Sequence, residues 1–143
     1  MSLITTLPDN KIGASTLTGV ETADIITSIT QTWGELVTNL GSVTNTLTIN
    51  TTSSTYFIAT ASDQAITVNL TNYETLPADR SITFILKLVT TAHNSYFVFP
   101  TSPSVIPFGG SNPPIFEIPG TYHILFTYDS GDGNFYYGKA GSY

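Results

Sequence analysis

The chain of 143 residues has no cysteine, which excludes disulfides, Cys-ligated zinc and thiol catalysis. Charge is scarce as well. Only 10% of residues are charged, against roughly 25% in an average soluble domain. Four Lys and Arg face ten Asp and Glu, for a net charge of −6. Lys11, Arg80, Lys87 and Lys139 lie far apart in sequence, so there is no basic cluster to neutralise phosphates. Neither nucleic acid nor an anionic membrane surface is expected as a partner. A skin this poor in charge suits a subunit that hides much of its surface in an assembly. No run approaches the ~18 consecutive apolar residues of a membrane-spanning helix. Met1 to Asn10 lacks a basic stretch followed by an apolar core, so no signal peptide is expected and synthesis belongs in a cytoplasm.

Alternation dominates what is present. Apolar residues occupy every second position at Leu47 and Ile49, at Ile66, Val68 and Leu70, at Ile82, Phe84, Leu86 and Leu88, and at Tyr122, Ile124, Phe126 and Tyr128. That period marks strands with one face buried and one turned outward. The outward positions are mostly Thr, Ser and Asn. Eight strands are expected near 46–50, 55–60, 65–70, 81–89, 95–99, 114–118, 121–128 and 134–139, separated by Gly-, Pro- and Asp-rich turns. Short strands without intervening helices predict a mainly β fold, a jelly-roll-like antiparallel β-sandwich over residues 46–143. No fixed repeat period of a solenoid or propeller is visible.

Residues 1–21 read as an extended N-terminal arm, broken by Pro8, Gly13 and Gly19. Leu3, Ile4, Leu7 and Ile12 are its candidate contacts. In residues 22–45 the spacing changes: Ile26, Ile29, Trp33, Leu36, Leu40, Val43 and Leu47 step alternately by three and four residues. An amphipathic helix laid on its own β-domain fits this spacing, with Gly41 as its C-terminal stop. So does a trimeric helical neck with Ile26, Ile29, Trp33 and Leu36 toward its axis. The Thr-rich composition, with Thr27, Thr30, Thr32 and Thr38, fits strand or irregular structure instead.

Candidate chemistry is sparse. The loop Asp129-Ser130-Gly131-Asp132-Gly133-Asn134 has carboxylates that suit calcium, but also the Asp, Asn and Gly of a tight hairpin. His93 and His123 are isolated, and Ser111 lacks the G-x-S-x-G setting of a nucleophile. Glu35, Glu74 and Glu117 are scattered, so no acid pair can be named. No cofactor and no catalytic residue are expected, and the chain reads as a non-enzyme. Tyr136, Tyr137 and Tyr143 crowd the C-terminus with Phe135. Adjacent strand residues face opposite ways, so some of these rings face outward, to fill an intersubunit seam or to stack on a glycan.

One order of motifs stands out: Tyr96-Phe97-Val98-Phe99-Pro100, Val105-Ile106-Pro107-Phe108-Gly109-Gly110, Pro113-Pro114-Ile115, Gly120-x-Tyr122, Asp129-x-Gly131 and Phe135-Tyr136-Tyr137-Gly138. It resembles the C-terminal β-domain of tailed-phage, especially cyanophage-like, tail-fibre and virion structural proteins. Phe99 and Phe108 stand where that pattern usually has Trp. The resemblance implies a jelly-roll-like, trimeric module and supplies no catalytic residue. The expectation is a homotrimeric capsid decoration (cement) protein on the virion exterior, held by the major capsid protein or another virion protein. The alternative is a receptor-binding tail-fibre tip that recognises host surface polysaccharide through Tyr136, Tyr137 and residues 100–114.

Overall fold

The structure, a computed structural model, describes residues 36–110 and 112–142. The arm residues Leu3, Ile4, Leu7 and Ile12 lie outside the described residues, as do Ile26, Ile29, Trp33 and Tyr143. Among the described residues there are nine strands: β1 (Val37–Val43), β2 (Thr46–Asn50), β3 (Tyr56–Ala61), β4 (Ala65–Thr71), β5 (Ser81–Thr90), β6 (Tyr96–Val98), β7 (Ser104–Pro107), β8 (Gly120–Asp129) and β9 (Asn134–Ser142). They form a six-stranded sheet in the order β1-β3-β5-β8-β9-β7 and a three-stranded sheet in the order β2-β4-β6. The mainly β expectation therefore holds.

From β1 to β6 the chain changes sheet at every strand, laying down three coils, each with one strand in either sheet. β1, β3 and β5 pair in parallel, and so do β2, β4 and β6. The corners stack as the strands do. Asp63 N–H donates to Thr44 O at 2.9 Å, Thr67 N–H to Asn45 O at 2.7 Å, and Tyr96 N–H to Gln64 O at 2.8 Å. Parallel neighbours need a long crossover, and here the crossover is a strand of the opposite sheet. The coiled part ends at β5, whose other edge pairs antiparallel with β8, and β8 pairs antiparallel with β9. β7 closes the row in parallel with β9. Five of the seven strand pairings are parallel. A jelly roll is built from antiparallel neighbours, so the pairing corrects the antiparallel expectation while keeping two sheets around one core.

The helix expected over residues 22–45 is also corrected where it is described: Val37–Val43 is β1, and Leu36 is exposed at its entry. A bulge explains the misleading spacing. The register with β3 shifts between Asn39 and Gly41, leaving Leu40 as the extra residue. Gly41 sits at φ +77°, and its N–H is held by Asn39 Oδ1 at 2.8 Å. The bulge stretches the strand step of two to a step of three between Leu40 and Val43. The corner Thr44-Asn45 then makes a step of four to Leu47, so bulge plus corner imitate a helical period.

The inward rows run across the strands. Phe57, Leu86 and Ile124 are neighbours, as are Ala59, Leu88 and Tyr122, and Phe84, Phe126 and Tyr137. All are buried, together with Leu47, Ile49, Ile66, Val68 and Leu70 of the small sheet. Burying each large side chain contributes about 1.5–3 kcal/mol. The large sheet outruns the small one at β8, β9 and β7, and rings close that gap. Phe84 stacks on Phe126 (centroids 5.0 Å apart), Phe126 on Tyr137 (5.6 Å), and Phe99 meets Tyr137 edge-on at 5.0 Å. Phe116 is bound to the small sheet's end by the mutual Ser95–Phe116 backbone bonds (3.0 and 2.8 Å). Residues 114–118, expected as a strand, thus make only an isolated bridge.

Thr90, at the end of β5, is 1% exposed and its Oγ1 has no hydrogen-bond partner. An unsatisfied buried hydroxyl carries a desolvation cost. Thr90→Val keeps the shape and removes that cost. It is expected to raise unfolding stability by about 1 kcal/mol in denaturant titrations, and a destabilised variant would contradict this packing.

Candidate functional site

The outward faces of the two sheets differ in chemistry. The small sheet presents Thr46, Thr48 and Asn50 beside Thr67, Asn69 and Thr71, with Tyr96 and Val98 exposed at its β6 edge. The large sheet presents Ile58 on β3, Ile85 and Val89 on β5 and Leu125 on β8, all half-buried, with Val37 exposed on the β1 edge. Ile85 lies directly opposite Leu125, and Leu125 opposite Gly138. Phe108 lies over Gly138 so closely that a Cβ there would come 2.7 Å from its Cδ2. Phe108 and Pro114, with Leu125 and Gly138, line a hollow of about 330 Å³ on this face.

Polar groups share this field: Ile58 stands opposite Lys87, and Val89 lies between Thr60 and Thr121. Tyr56 OH lies 3.1 Å from His123 Nε2, and Lys87 stands opposite His123 in the register. Thr83 and Thr127 hydroxyls meet at 3.1 Å. This field was not among the residues singled out from sequence. The signal was present in the run Phe84 to Val89, apolar at five of six positions, which is how a strand covered on both faces reads.

At the hairpin end of the same face the chemistry turns polar. Ser81, Asp129, Asn134 and Ser104 form one cross-strand row, and Thr83, Thr127, Tyr136 and Ile106 the next. Each loop carboxylate is engaged within the loop: Asp129 Oδ1 accepts from Gly131 N–H at 2.8 Å, and Asp132 Oδ1 from Asn134 N–H at 2.9 Å. Tyr136 OH donates to Asp132 Oδ2 at 2.7 Å. These are the local bonds a tight hairpin uses. Among the described residues no group of three or more His, Asp and Glu is arranged to hold a metal.

The expected aromatic surface divides. Tyr136 faces outward, but Tyr137 is 1% exposed, packed in the ring column, and its burial pushes the phenol pKa up. Tyr137 is therefore core and not a contact surface, a correction that follows from strand alternation once β9 is placed. His93 is exposed in a turn, where its carbonyl accepts from Gln64 Nε2 at 3.2 Å. His123 lies instead on β8, opposite Lys87. Of the residues 100–114, Ser104–Pro107 becomes β7 and Phe108 covers Gly138.

No family model, no curated protein and no solved structure matches this chain. Among the described residues no helix is long and apolar enough to cross a membrane.

The hydrogen bond from Tyr136 holds the Asp132 carboxyl below its ordinary range, with the Asn134 amide adding to the effect, and the same bond raises the Tyr136 phenol. A lowered carboxyl contributes stability above its unfolded pKa and loses it as pH falls through the folded value. NMR titration is expected to show Asp132 ionising below the usual carboxylate range. Tyr136→Phe should move it back up toward that range, and an unchanged Asp132 in the variant would contradict the assignment.

Proposed function

We propose that this chain is a non-enzymatic structural protein of a tailed-phage particle, a homotrimeric capsid decoration subunit displayed on the virion exterior. The observation that carries the reading is the aliphatic outer face of the large sheet. β3 and β5 present Ile58, Ile85 and Val89 outward, and Leu125 of β8 lies opposite Ile85. Self-association covers such a face without a second protein, and a trimer closes when one patch of each subunit meets a different patch of the next. The scarcity of charge, 10% of residues, fits a subunit whose solubility rests on what it leaves exposed after assembly. The phage assignment rests on the motif order from Tyr96 to Gly138, and trimerisation on the likeness to phage modules together with the covered-face argument.

Attachment to a particle is then surface complementarity: a subunit that binds the assembled lattice and not its free components stabilises the lattice by mass action. The receptor-binding alternative loses Tyr137 as a contact and keeps Tyr136.

Quantitative mass spectrometry of purified virions gives the copy number relative to the major capsid protein. Stoichiometry near that of the capsid protein supports decoration of the head. A few trimers per particle would instead place the chain in the tail, and absence from virions would overturn the reading.

A further inference from the structure

We infer that the Asp132–Gly133 peptide unit in the β8–β9 hairpin loop is a spontaneous modification site, convertible to isoaspartate, which the folded hairpin holds unreactive through Tyr136. This does not depend on the assembly reading, because it rests on bonds within one hairpin.

An aspartate rearranges when the backbone nitrogen of the next residue attacks its side-chain carboxyl carbon. Glycine hinders that attack least, having no Cβ. Asp132 is the one Asp in the chain that Gly follows, and no Asn precedes a Gly. In the first step the Gly133 nitrogen bonds to Asp132 Cγ and the Cγ–OH bond of the protonated acid breaks. The nitrogen's proton and that hydroxyl leave as water. Water then opens the five-membered imide at one of its two carbonyls. One opening restores aspartate, and the other runs the chain through the side chain as isoaspartate, with no net change in mass.

The folded hairpin occupies both partners of that reaction. Asp132 Oδ2 accepts from Tyr136 OH at 2.7 Å, and Oδ1 from Asn134 N–H at 2.9 Å. Two donors favour the ionised carboxyl, and the ion is a poor electrophile because it has no hydroxyl to lose as water. Cyclisation makes one carboxyl oxygen a leaving group, so it cannot proceed while both are held as acceptors. The nucleophile is tied as well. Gly133 N–H donates to Asp129 O at 2.8 Å, a carbonyl that cannot take up its proton. Tyr136 is fixed on β9 opposite Thr127, so its hydroxyl stays in place for as long as β8 and β9 are paired.

Unfolding releases all three bonds together and exposes the site. The product does not suit the fold. An extra backbone carbon enters a loop whose ends are fixed at the Asp129–Asn134 pair, and the carboxyl that Tyr136 holds becomes part of the chain. Phe135 and Tyr137, buried at 0% and 1% exposure, depend on that register. A chain that reacts while unfolded therefore cannot close the hairpin again.

The test is chymotryptic mapping of the full chain after storage at mildly acid pH, folded in buffer and unfolded in denaturant. Chromatography and fragmentation separate the aspartyl and isoaspartyl forms of peptide 129–135, in which Asp129 is the internal comparison. Isoaspartate is expected at residue 132 of the unfolded chain and to form there at least roughly tenfold more slowly in the folded one. Folded Tyr136→Phe is expected to react roughly tenfold faster than the folded unsubstituted chain, the worth of one hydrogen bond to a charged group. In denaturant the two should react alike. Gly133→Asn, a residue that tolerates positive φ, is expected to suppress the reaction in the unfolded chain. After denaturant is removed, the folded fraction should carry no isoaspartate at residue 132. Equal rates in the folded and unfolded chain overturn the inference, as does an unchanged rate in folded Tyr136→Phe. So do more isoaspartate at Asp129 than at Asp132, an undiminished reaction in Gly133→Asn, or isoaspartate at residue 132 in the refolded fraction. If Tyr136→Phe does not fold, the folded-to-unfolded ratio of the unsubstituted chain decides.

Discussion

Everything in this molecule depends on the backbone ladder that joins one coil to the next. A strand in the first six positions finds its hydrogen-bond partner one full coil away, so neither sheet can form without the other. The corners at Thr44-Asn45 and Ser62–Gln64 are bonded into the same stack, which keeps the two sheets in step. Only with that ladder in place do Phe57, Leu86 and Ile124 fall into one row, and only then is there an interior for the aromatic column to close. The antiparallel hairpin of β8 and β9 extends the large sheet from the last coil, and it carries the polar end of the outer face with it.

Faces were legible in the sequence, and partners were not. Thr46–Asn50 was read to the residue, and the strands at 56–61, 65–71, 81–90 and 120–129 within one or two, because alternation states which side of a strand is buried. It says nothing about which strand lies alongside. The repeat that would have revealed the coils is irregular: Val37 sits opposite Tyr56, 19 residues on, and Tyr56 opposite Ile85, 29 residues on. The extra length is spent on the turn from Asn72 to Arg80, with its single 3-10 turn at Tyr73–Thr75. Unequal coils leave no fixed period to detect. The bulge at Leu40 hid β1 in the same manner, by giving a strand the spacing of a helix.

The candidate site was half legible. Tyr136 and Tyr137 were singled out together, yet adjacent positions on β9 send one outward and one into the core. The aliphatic field of Ile58, Ile85, Val89 and Leu125 went unmarked because apolar residues in strands are assigned to the interior by habit. The near-continuous run from Phe84 to Val89 is the one local sign that β5 is apolar on both sides. One sheet face therefore offers two kinds of surface, an aliphatic field suited to another copy of the chain and, at the hairpin, a polar end with Tyr136 facing outward. The small sheet is dressed outward in Thr and Asn.

Sedimentation equilibrium of the full chain, beside Ile85→Lys, measures the central claim that the large sheet's outer face is an assembly surface. The account predicts a trimer of three times the 15.4 kDa chain mass, and a folded monomer once a second charge on β5 replaces Ile85, opposite Leu125. A chain that sediments at 15.4 kDa at every concentration, or a trimer that Ile85→Lys leaves intact, would contradict it.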